Sequence, residues 1–242
     1  MAQDFLELID NLAKAKRLGE GTELLRAALD EHGLGQVAYV AVNLPTKNRA
    51  KPLVASAYTP EWHKHYIQCD YVSIDPLVRA GMAGVLPVDW ASISQNTPIV
   101  RKFFGEAQEF GIGASGLSIP IRGRHGEFAM FSVSTRANPA DWQAKKRQMA
   151  RELMLLAYCF HDWALKAEGV DRHDYHDILS VRETDCLRWR AMGKSDWDIS
   201  HLLSISERTV KFHLENARAK LGATNTVQAV AIAVGFGLVV TQ

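Results

Sequence analysis

Residues 182–225, RETDCLRWRAMGKSDWDISHLLSISERTVKFHLENARAKLGATN, contain two helix-forming segments separated by only three residues, Ser204-Ile205-Ser206. Ser195 and Ser206 each stand where a helix N-cap is expected, and Gly193 ends the helical pattern that precedes Ser195. Two helices joined by so short a turn have the spacing of a helix-turn-helix. This stretch therefore predicts an all-α unit at the end of the chain.

The second helix of the pair has one apolar and one polar face. The apolar residues share one side and are predicted to pack inward: Val210, Leu214, Ala217 and Leu221. The far side carries residues whose chemistry suits a DNA major groove: Lys211, Phe212, Glu215, Asn216 and Ala219, flanked by Arg218. Lys can reach guanine or phosphate, Asn can pair with adenine, and Glu can accept from cytosine. A four-helix docking domain with a solvated charged face is the alternative.

The same stretch resembles the LuxR-type helix-turn-helix. The match is carried by Arg182-Glu183, Leu187, Trp189, Gly193-Lys194-Ser195, Ile199, Leu202-Leu203, Ser206-Glu207, Thr209-Val210-Lys211, His213, Lys220-Leu221 and Asn225. The resemblance implies a homodimer that binds an inverted repeat in double-stranded DNA, with RNA polymerase as a further partner. The DNA-binding residues it implies are Lys194, Ser195, Ser206, Thr209, Lys211, Glu215, Asn216 and Arg218. Thr226 departs from the family pattern, in which a basic residue commonly follows the Asn.

Upstream of the helix-turn-helix the chain predicts an α+β domain, an α-β-α sandwich with a small antiparallel sheet. Strands are expected at 36–43 and 52–58, and two more around a turn within 116–136. A long helix is expected from Asn138-Pro139 to about residue 167. We predict a ligand-binding and dimerisation domain at 1–168, a polar linker at 169–175, and an all-α four-helix DNA-binding domain at 176–242.

The composition is that of an ordinary soluble two-domain protein of 242 residues with a net charge of +1. Residues 176–242 hold eight Lys/Arg and seven Asp/Glu, so bulk charge does not indicate a nucleic-acid partner. The start, MAQDFLELID, lacks a signal-peptide pattern, and the longest apolar stretch, 229–240, is too short to span a bilayer. A cytoplasmic protein with no membrane partner is expected. Three scattered cysteines predict reduced thiols and no metal site.

Residues 58–76, YTPEWHKHYIQCDYVSIDP, concentrate aromatic side chains and one acid before a proline. These rings could be plain core, and Asp75 before Pro76 could be only a helix N-cap. They could also line a cavity that holds a polar molecule, since rings with polar tips offer both apolar surface and hydrogen bonds. The residue types alone leave both interpretations open.

This stretch resembles the acyl-homoserine-lactone-binding domain of quorum-sensing LuxR regulators. The pattern is Tyr58, Trp62, Tyr66, Asp75-Pro76, Trp90, Gly116-Leu117-Ser118-Ile119-Pro120 and Ser132. The resemblance implies an acyl- or aryl-homoserine lactone as ligand, bound by Tyr58, Trp62, Tyr66, Asp75, Trp90 and Ser132. Trp62 would donate to the lactone carbonyl, Asp75 would accept from the amide, and Tyr58 and Ser132 would donate to the acyl carbonyl. Tyr66, Trp90 and Phe103 or Phe104 would supply ring surface.

The expected function is therefore a ligand-responsive transcription factor that regulates quorum-sensing genes. No catalytic residues, metal ligands or cofactors are predicted. The alternative is a DNA-binding regulator whose cavity is ligand-independent or takes a different small molecule. An enzyme acting on the lactone would need a nucleophile or metal beside the carbonyl, and the sequence indicates neither. The GIGASG segment at 111–116 follows a helix and leads into a strand, so it predicts a loop rather than a dinucleotide site.

Overall fold

A computed structural model describes residues 2–42, 44, 52–123, 127–169 and 178–240. These residues divide into two compact units, of which the first contains every described strand and the first seven helices. The second unit contains the last four helices. The predicted linker lies outside the described residues apart from Gly169. Within the described part of the chain, no helix is both long and apolar enough to cross a membrane.

The helix boundaries follow the capping residues closely. In the first unit the helices are α1 (Ala2–Leu12), α2 (Leu18–Asp30), α3 (Pro60–Gln68), α4 (Tyr71–Ile74), α5 (Pro76–Ala83), α6 (Pro98–Glu109) and α7 (Pro139–Ala167). In the second unit they are α8 (Val181–Ala191), α9 (Asp196–Leu203), α10 (Glu207–Lys220) and α11 (Thr226–Gly235). The predicted helix from Asn138-Pro139 is confirmed as α7, with the Asn138 side chain accepting from the Asp141 N–H at 2.9 Å.

The sheet is five-stranded and antiparallel throughout. Its strands are β1 (Gln36–Val42), β2 (Leu53–Ser56), β3 (Val88–Asp89), β4 (Ser115–Arg122) and β5 (Phe128–Thr135), in the order β2-β1-β5-β4-β3. The register aligns one residue from each strand across the sheet: Ser56, Ala38, Ser132, Ser118 and Val88. Residues directly opposite each other point to the same face. Three hydroxyl groups are therefore placed in one row across the sheet.

Helices cover both faces of this sheet, as the sequence predicts for an α-β-α sandwich. On one face, Tyr39 of β1 hydrogen-bonds His161 of α7 at 2.8 Å and meets the Phe160 ring edge-on at 5.2 Å. Gly21 of α2 lies against the Trp163 ring of α7, where any side chain would collide. The opposite face is covered by α3, α5 and α6, and the candidate site lies between those helices and the sheet.

The second unit is a small helical domain with its own core. Val210, Leu214, Ala217 and Leu221 are all buried, which confirms the predicted inward face of α10. The predicted N-caps Ser195 and Ser206 each accept a backbone N–H, and Ser180 and Asn225 cap α8 and α11 in the same way. Ser204, with φ of 54°, is in the left-handed conformation that ends α9 and turns the chain toward α10.

Candidate functional site

A cavity of about 70 Å³ lies between the sheet and the helices α3, α5 and α6. The side chains that the sequence predicts to bind ligand all line it: Tyr58, Trp62, Tyr66, Asp75, Trp90 and Ser132. They come from five separate parts of the chain, and the packing of α3 and α6 against the sheet brings them together. The remaining lining is largely apolar and includes Val40, Val54 and Met130.

Asp75 divides its two carboxylate oxygens between the backbone and the cavity. Oδ1 accepts from the Leu77 N–H at 2.7 Å and from the Val78 N–H at 3.3 Å, which starts α5. Oδ2 accepts from the Tyr66 hydroxyl at 2.9 Å. Burial raises the pKa of Asp75 from its usual 3.8 to about 6, although all three hydrogen bonds act in the opposite direction. Asp75 is thus both an N-cap and a cavity acceptor.

Trp62 lies at the centre of the aromatic wall. It is 4% exposed, and its ring centroid lies 5.9 Å from those of Tyr66 and Tyr71 and 5.5 Å from that of Phe110. Its helix begins at Pro60, because Thr59 accepts from the Trp62 N–H and Pro60 suits the first turn. Burial is the main cause that raises the pKa of Tyr66, and the nearby Asp75 raises it further. Tyr66 therefore remains a neutral hydrogen-bond donor.

A chain of polar side chains crosses the strands at the sheet side of the cavity. Trp90 Nε1 donates to Ser118 Oγ at 2.9 Å, and Ser118 Oγ lies 2.7 Å from Ser132 Oγ. Ser118 is fully buried. Gly116 makes room for Trp90, since a Cβ there would lie 2.6 Å from the indole ring. The family pattern contains Ser118, but the sequence alone gives it no role, since its contact with Ser132 depends on the β4–β5 register.

Tyr58 lies just beyond the strand that the sequence assigns to it. The predicted strand 52–58 is shorter in the structure, and β2 ends at Ser56. Tyr58 packs against the aromatic cluster around Trp62 and lines the cavity. Burial raises its pKa, while a hydrogen bond with Ser134 lowers it. Tyr58 is therefore a neutral phenol at the cavity wall.

A second cluster lies between α3 and α6, and its residues do not line the cavity. His65 Nε2 lies 2.6 Å from Glu106 Oε2 and 3.6 Å from Cys69 Sγ, and the Tyr71 hydroxyl donates to Glu106. Hydrogen bonds from His65 and Tyr71 hold the pKa of Glu106 below its usual range. The sequence does not predict this group. The spacing of His65 and Cys69, one helical turn apart, was its only sequence signal.

The polar face of α10 is open in the second unit. Lys211 and Glu215 are exposed, while Asn216, Arg218 and Thr209 are half-buried. Ser206 accepts from the Thr209 N–H at 3.1 Å, and the two hydroxyl groups lie 2.8 Å apart. Ser195 is likewise engaged as the N-cap of α9, beside exposed Lys194. The predicted residues thus lie at the starts of α9 and α10 and along α10.

Two family descriptions match the chain in succession. Residues 20–164 match the autoinducer binding domain, and residues 177–233 match the bacterial regulatory proteins of the luxR family. The transcriptional activator protein RaiR of Rhizobium etli is 38% identical over 177 residues, which is 73% of this chain and 73% of that protein.

Solved structures share the fold. The crystal structure of Escherichia coli SdiA matches with a TM-score of 0.68 at 20% identity over 97% of each chain. A structure of SdiA in complex with octanoyl-rac-glycerol matches with a TM-score of 0.64 at 21% identity, over 97% of this chain and 94% of that chain.

Proposed function

The chain belongs to the luxR family of bacterial regulatory proteins, with an autoinducer-binding domain and a DNA-binding helix-turn-helix, and from this membership we propose its specific signal and mode of action. As a member of that family it is a ligand-responsive transcriptional regulator rather than an enzyme. We propose that its ligand is an acyl- or aryl-homoserine lactone. We further propose that it acts in the cytoplasm as a homodimer on an inverted-repeat promoter site that controls quorum-sensing genes.

The single observation that carries the lactone proposal is the position of Asp75 Oδ2. A carboxylate oxygen directed into a cavity lined by rings matches an amide N–H, because a carboxylate accepts hydrogen bonds and an amide N–H supplies one. The lactone carbonyl would meet Trp62, whose indole can only donate. The acyl carbonyl would meet Tyr58 and Ser132. The row of Ser132, Ser118 and Trp90 supports this role, because Ser118 accepts from Trp90 and can donate its own proton to Ser132. That direction would leave the Ser132 proton for the ligand.

The size of the cavity supports coupling between ligand and fold. At about 70 Å³ it is well below the roughly 300–1,000 Å³ of typical small-molecule sites. An acylated lactone therefore has to separate α3 and α6 from the sheet as it enters. The ligand would then become part of the core, and its affinity would add directly to the stability of the first unit.

The dimer proposal rests on the outer side of α7. Leu155 and Tyr158 are 51% and 46% exposed, although their neighbours Leu153 and Leu156 are fully buried. Leu6 of α1 is also exposed, at 57%. Exposed large apolar side chains on one side of a helix are a common feature of protein–protein contacts. A twofold dimer would present two copies of α10 to half-sites about one DNA turn apart, which requires an inverted repeat.

A melting-temperature series with different homoserine lactones tests the ligand. We expect a stabilisation that depends on ligand concentration and differs with the acyl or aryl group. The parent chain and the Asp75→Asn variant are compared at each concentration, with binding to an inverted-repeat DNA fragment measured in parallel. If no lactone shifts the melting temperature of the parent chain, the lactone assignment is wrong.

A second candidate ligand is a monoacylglycerol. The octanoyl-rac-glycerol complex of the structurally similar SdiA favours testing this class. A monoacylglycerol has no amide N–H, but its glycerol hydroxyl groups can donate to the acceptor at Asp75. Asp75→Asn should therefore weaken the binding of either class and does not separate them. Calorimetric titration of the parent chain with a homoserine lactone and with a monoacylglycerol of the same acyl length compares the two affinities directly and distinguishes the classes.

A further inference from the structure

Three metal-ligating side chains meet between α3 and α6, outside the ligand cavity. His65 and Cys69 project from the last turn of α3, and Glu106 lies across from them on α6. Their ligand atoms all lie within 4.8 Å of one another. His65 is 28% exposed and Glu106 is 21% exposed, so an ion could enter from solvent. One nitrogen, one sulfur and one oxygen donor are therefore gathered at an accessible point.

The distances fit a tetrahedral zinc site. Zinc–nitrogen bonds of roughly 2.0–2.1 Å and zinc–sulfur bonds of roughly 2.3 Å place the two donors roughly 3.6 Å apart. His65 Nε2 and Cys69 Sγ are 3.6 Å apart. The corresponding nitrogen–oxygen separation is roughly 3.3 Å, so the 2.6 Å contact between His65 and Glu106 needs to open by less than an ångström. A side-chain rotation at Glu106, which is 21% exposed, is enough for this.

Neighbouring groups already orient the carboxylate. The Tyr71 hydroxyl donates to Glu106 Oε2, and Lys102 Nζ lies 3.6 Å from Oε1. Hydrogen bonds to the carboxylate of a metal ligand are a common feature of zinc sites. Hydrogen bonding alone explains why His65, Tyr71 and Glu106 associate. Hydrogen bonding does not explain why the Cys69 thiol lies beside His65, because sulfur is only a weak hydrogen-bond donor and acceptor.

We propose that His65, Cys69 and Glu106 form a binding site for Zn²⁺ or a similar divalent transition metal, with water in the fourth position. The mixed imidazole and thiolate donors select this class over magnesium or calcium, which take oxygen ligands. The three cysteines predict no metal site because no two of them have a metal-binding spacing. The proposed site needs only one cysteine, since His65 and Glu106 supply the other protein ligands. The ion joins α3 to α6 beside the Trp62 ring, whose centroid lies 5.8 Å from that of His65. It therefore stiffens the wall of the ligand cavity from outside.

Titration of the untagged, reduced full chain with Co²⁺ tests the site. We expect one Co²⁺ per chain, with the intense thiolate-to-cobalt charge-transfer absorption of a bound sulfur, and displacement by Zn²⁺. Cys69→Ser should abolish that absorption, and His65→Ala and Glu106→Gln should each weaken binding by about tenfold or more. Cys159→Ser on α7 and Glu109→Gln on α6 are matched controls that should bind Co²⁺ like the parent chain.

A second measurement needs no variant. Zn²⁺ should protect Cys69 from alkylation in the folded parent chain while leaving Cys159 unchanged, as determined by peptide mass spectrometry. Absence of cobalt charge-transfer absorption in the parent chain, or its persistence in Cys69→Ser, would overturn the proposal. So would equal alkylation of Cys69 with and without Zn²⁺. None of these outcomes depends on which small molecule occupies the ligand cavity.

Discussion

Ser118 Oγ lies 2.7 Å from Ser132 Oγ and accepts the indole N–H of Trp90 at 2.9 Å. Both serines are buried, and they face each other across neighbouring strands. Since the indole can only donate, Ser118 has its own proton left for Ser132. We therefore propose that Ser118 positions Ser132, which lines the cavity, for its contact with the ligand.

Ser118→Ala should weaken lactone binding by about threefold to tenfold, the worth of one ordinary hydrogen bond. The melting temperature of Ser118→Ala should also be lower than that of the parent chain, because Trp90 Nε1 loses its hydrogen-bond acceptor. Calorimetric titration of Ser118→Ala, Ser132→Ala and the double variant separates the two effects. If Ser118 acts through Ser132, adding Ser118→Ala to Ser132→Ala leaves affinity unchanged. A lower lactone affinity in the double variant than in Ser132→Ala would contradict the proposal that Ser118 acts through Ser132.

Asp75→Asn should reduce lactone affinity by about tenfold or more, because a charged acceptor becomes a group that also donates. The N-cap should survive, since Asn caps helices about as well as Asp. Asp70→Asn is the matched control: Asp70 is exposed, lies at the start of α4, and does not line the cavity. Equal lactone affinity for the parent chain and Asp75→Asn would show that Asp75 does not accept the amide N–H of the ligand.

The raised pKa of Asp75 makes both stability and binding depend on pH. Its folded pKa of about 6 exceeds the usual 3.8, so between these values the folded chain holds a proton that the unfolded chain releases. The free energy of unfolding of the unliganded chain therefore falls as pH rises through this window, by roughly 3 kcal/mol.

An amide donor favours the ionised carboxylate, so lactone affinity should rise with pH through about 6. Melting curves at several pH values, with and without lactone, measure both trends. Asp75→Asn should abolish both.

Lys211→Ala should weaken binding to the native promoter site by about tenfold or more and leave lactone binding unchanged. If Lys211 contacts phosphate rather than a base, the slope of log affinity against log salt should fall by about 1. Anisotropy titrations at several salt concentrations distinguish these cases. Lys64→Ala, an exposed lysine on α3, is the control. Unchanged affinity for Lys211→Ala would remove this residue from the interface.

The buried Glu183 should make the second unit sensitive to acid. Burial raises its pKa, but hydrogen bonds from Lys220 at 2.8 Å and from the Ser180 N–H at 2.7 Å outweigh burial and lower it. The resulting stability is present above the usual pKa of 4.5 and is lost as pH falls through the lowered value. Lys220→Met should therefore speed hydrogen exchange in α8 and α10 at neutral pH, by an amount that shrinks in acid. Exposed Lys194→Met should leave exchange unchanged.

Local chemistry made much of the fold predictable. Asn138-Pro139, Ser195 and Ser206 each carry a capping side chain, and each starts a helix where the sequence predicts. The two-residue strand β3 and the single turn α4 were not predicted, because so few residues carry no periodic pattern. The six predicted ligand residues line one cavity, although their roles toward a lactone stay predictions.

Long-range packing explains what the sequence did not reveal. Ser118 meets Ser132 only through the register of β4 and β5. Glu106 meets His65 only because α6 packs beside α3, 41 residues away along the chain. Neither partnership leaves a local spacing pattern, so residue types and intervals cannot identify it.

The two separate roles of the Asp75 oxygens limit which changes in ligand preference this cavity can acquire during evolution. One oxygen starts α5 and the other faces the cavity, so replacing the side chain changes folding and recognition together. Asn keeps the cap, but it offers a ligand a donor as well as an acceptor. New signal preferences are therefore more readily acquired at apolar lining positions such as Val54 and Met130, whose side chains start no helix. The preferred head group of the ligand should therefore change slowly during evolution, and the preferred acyl or aryl tail should change quickly.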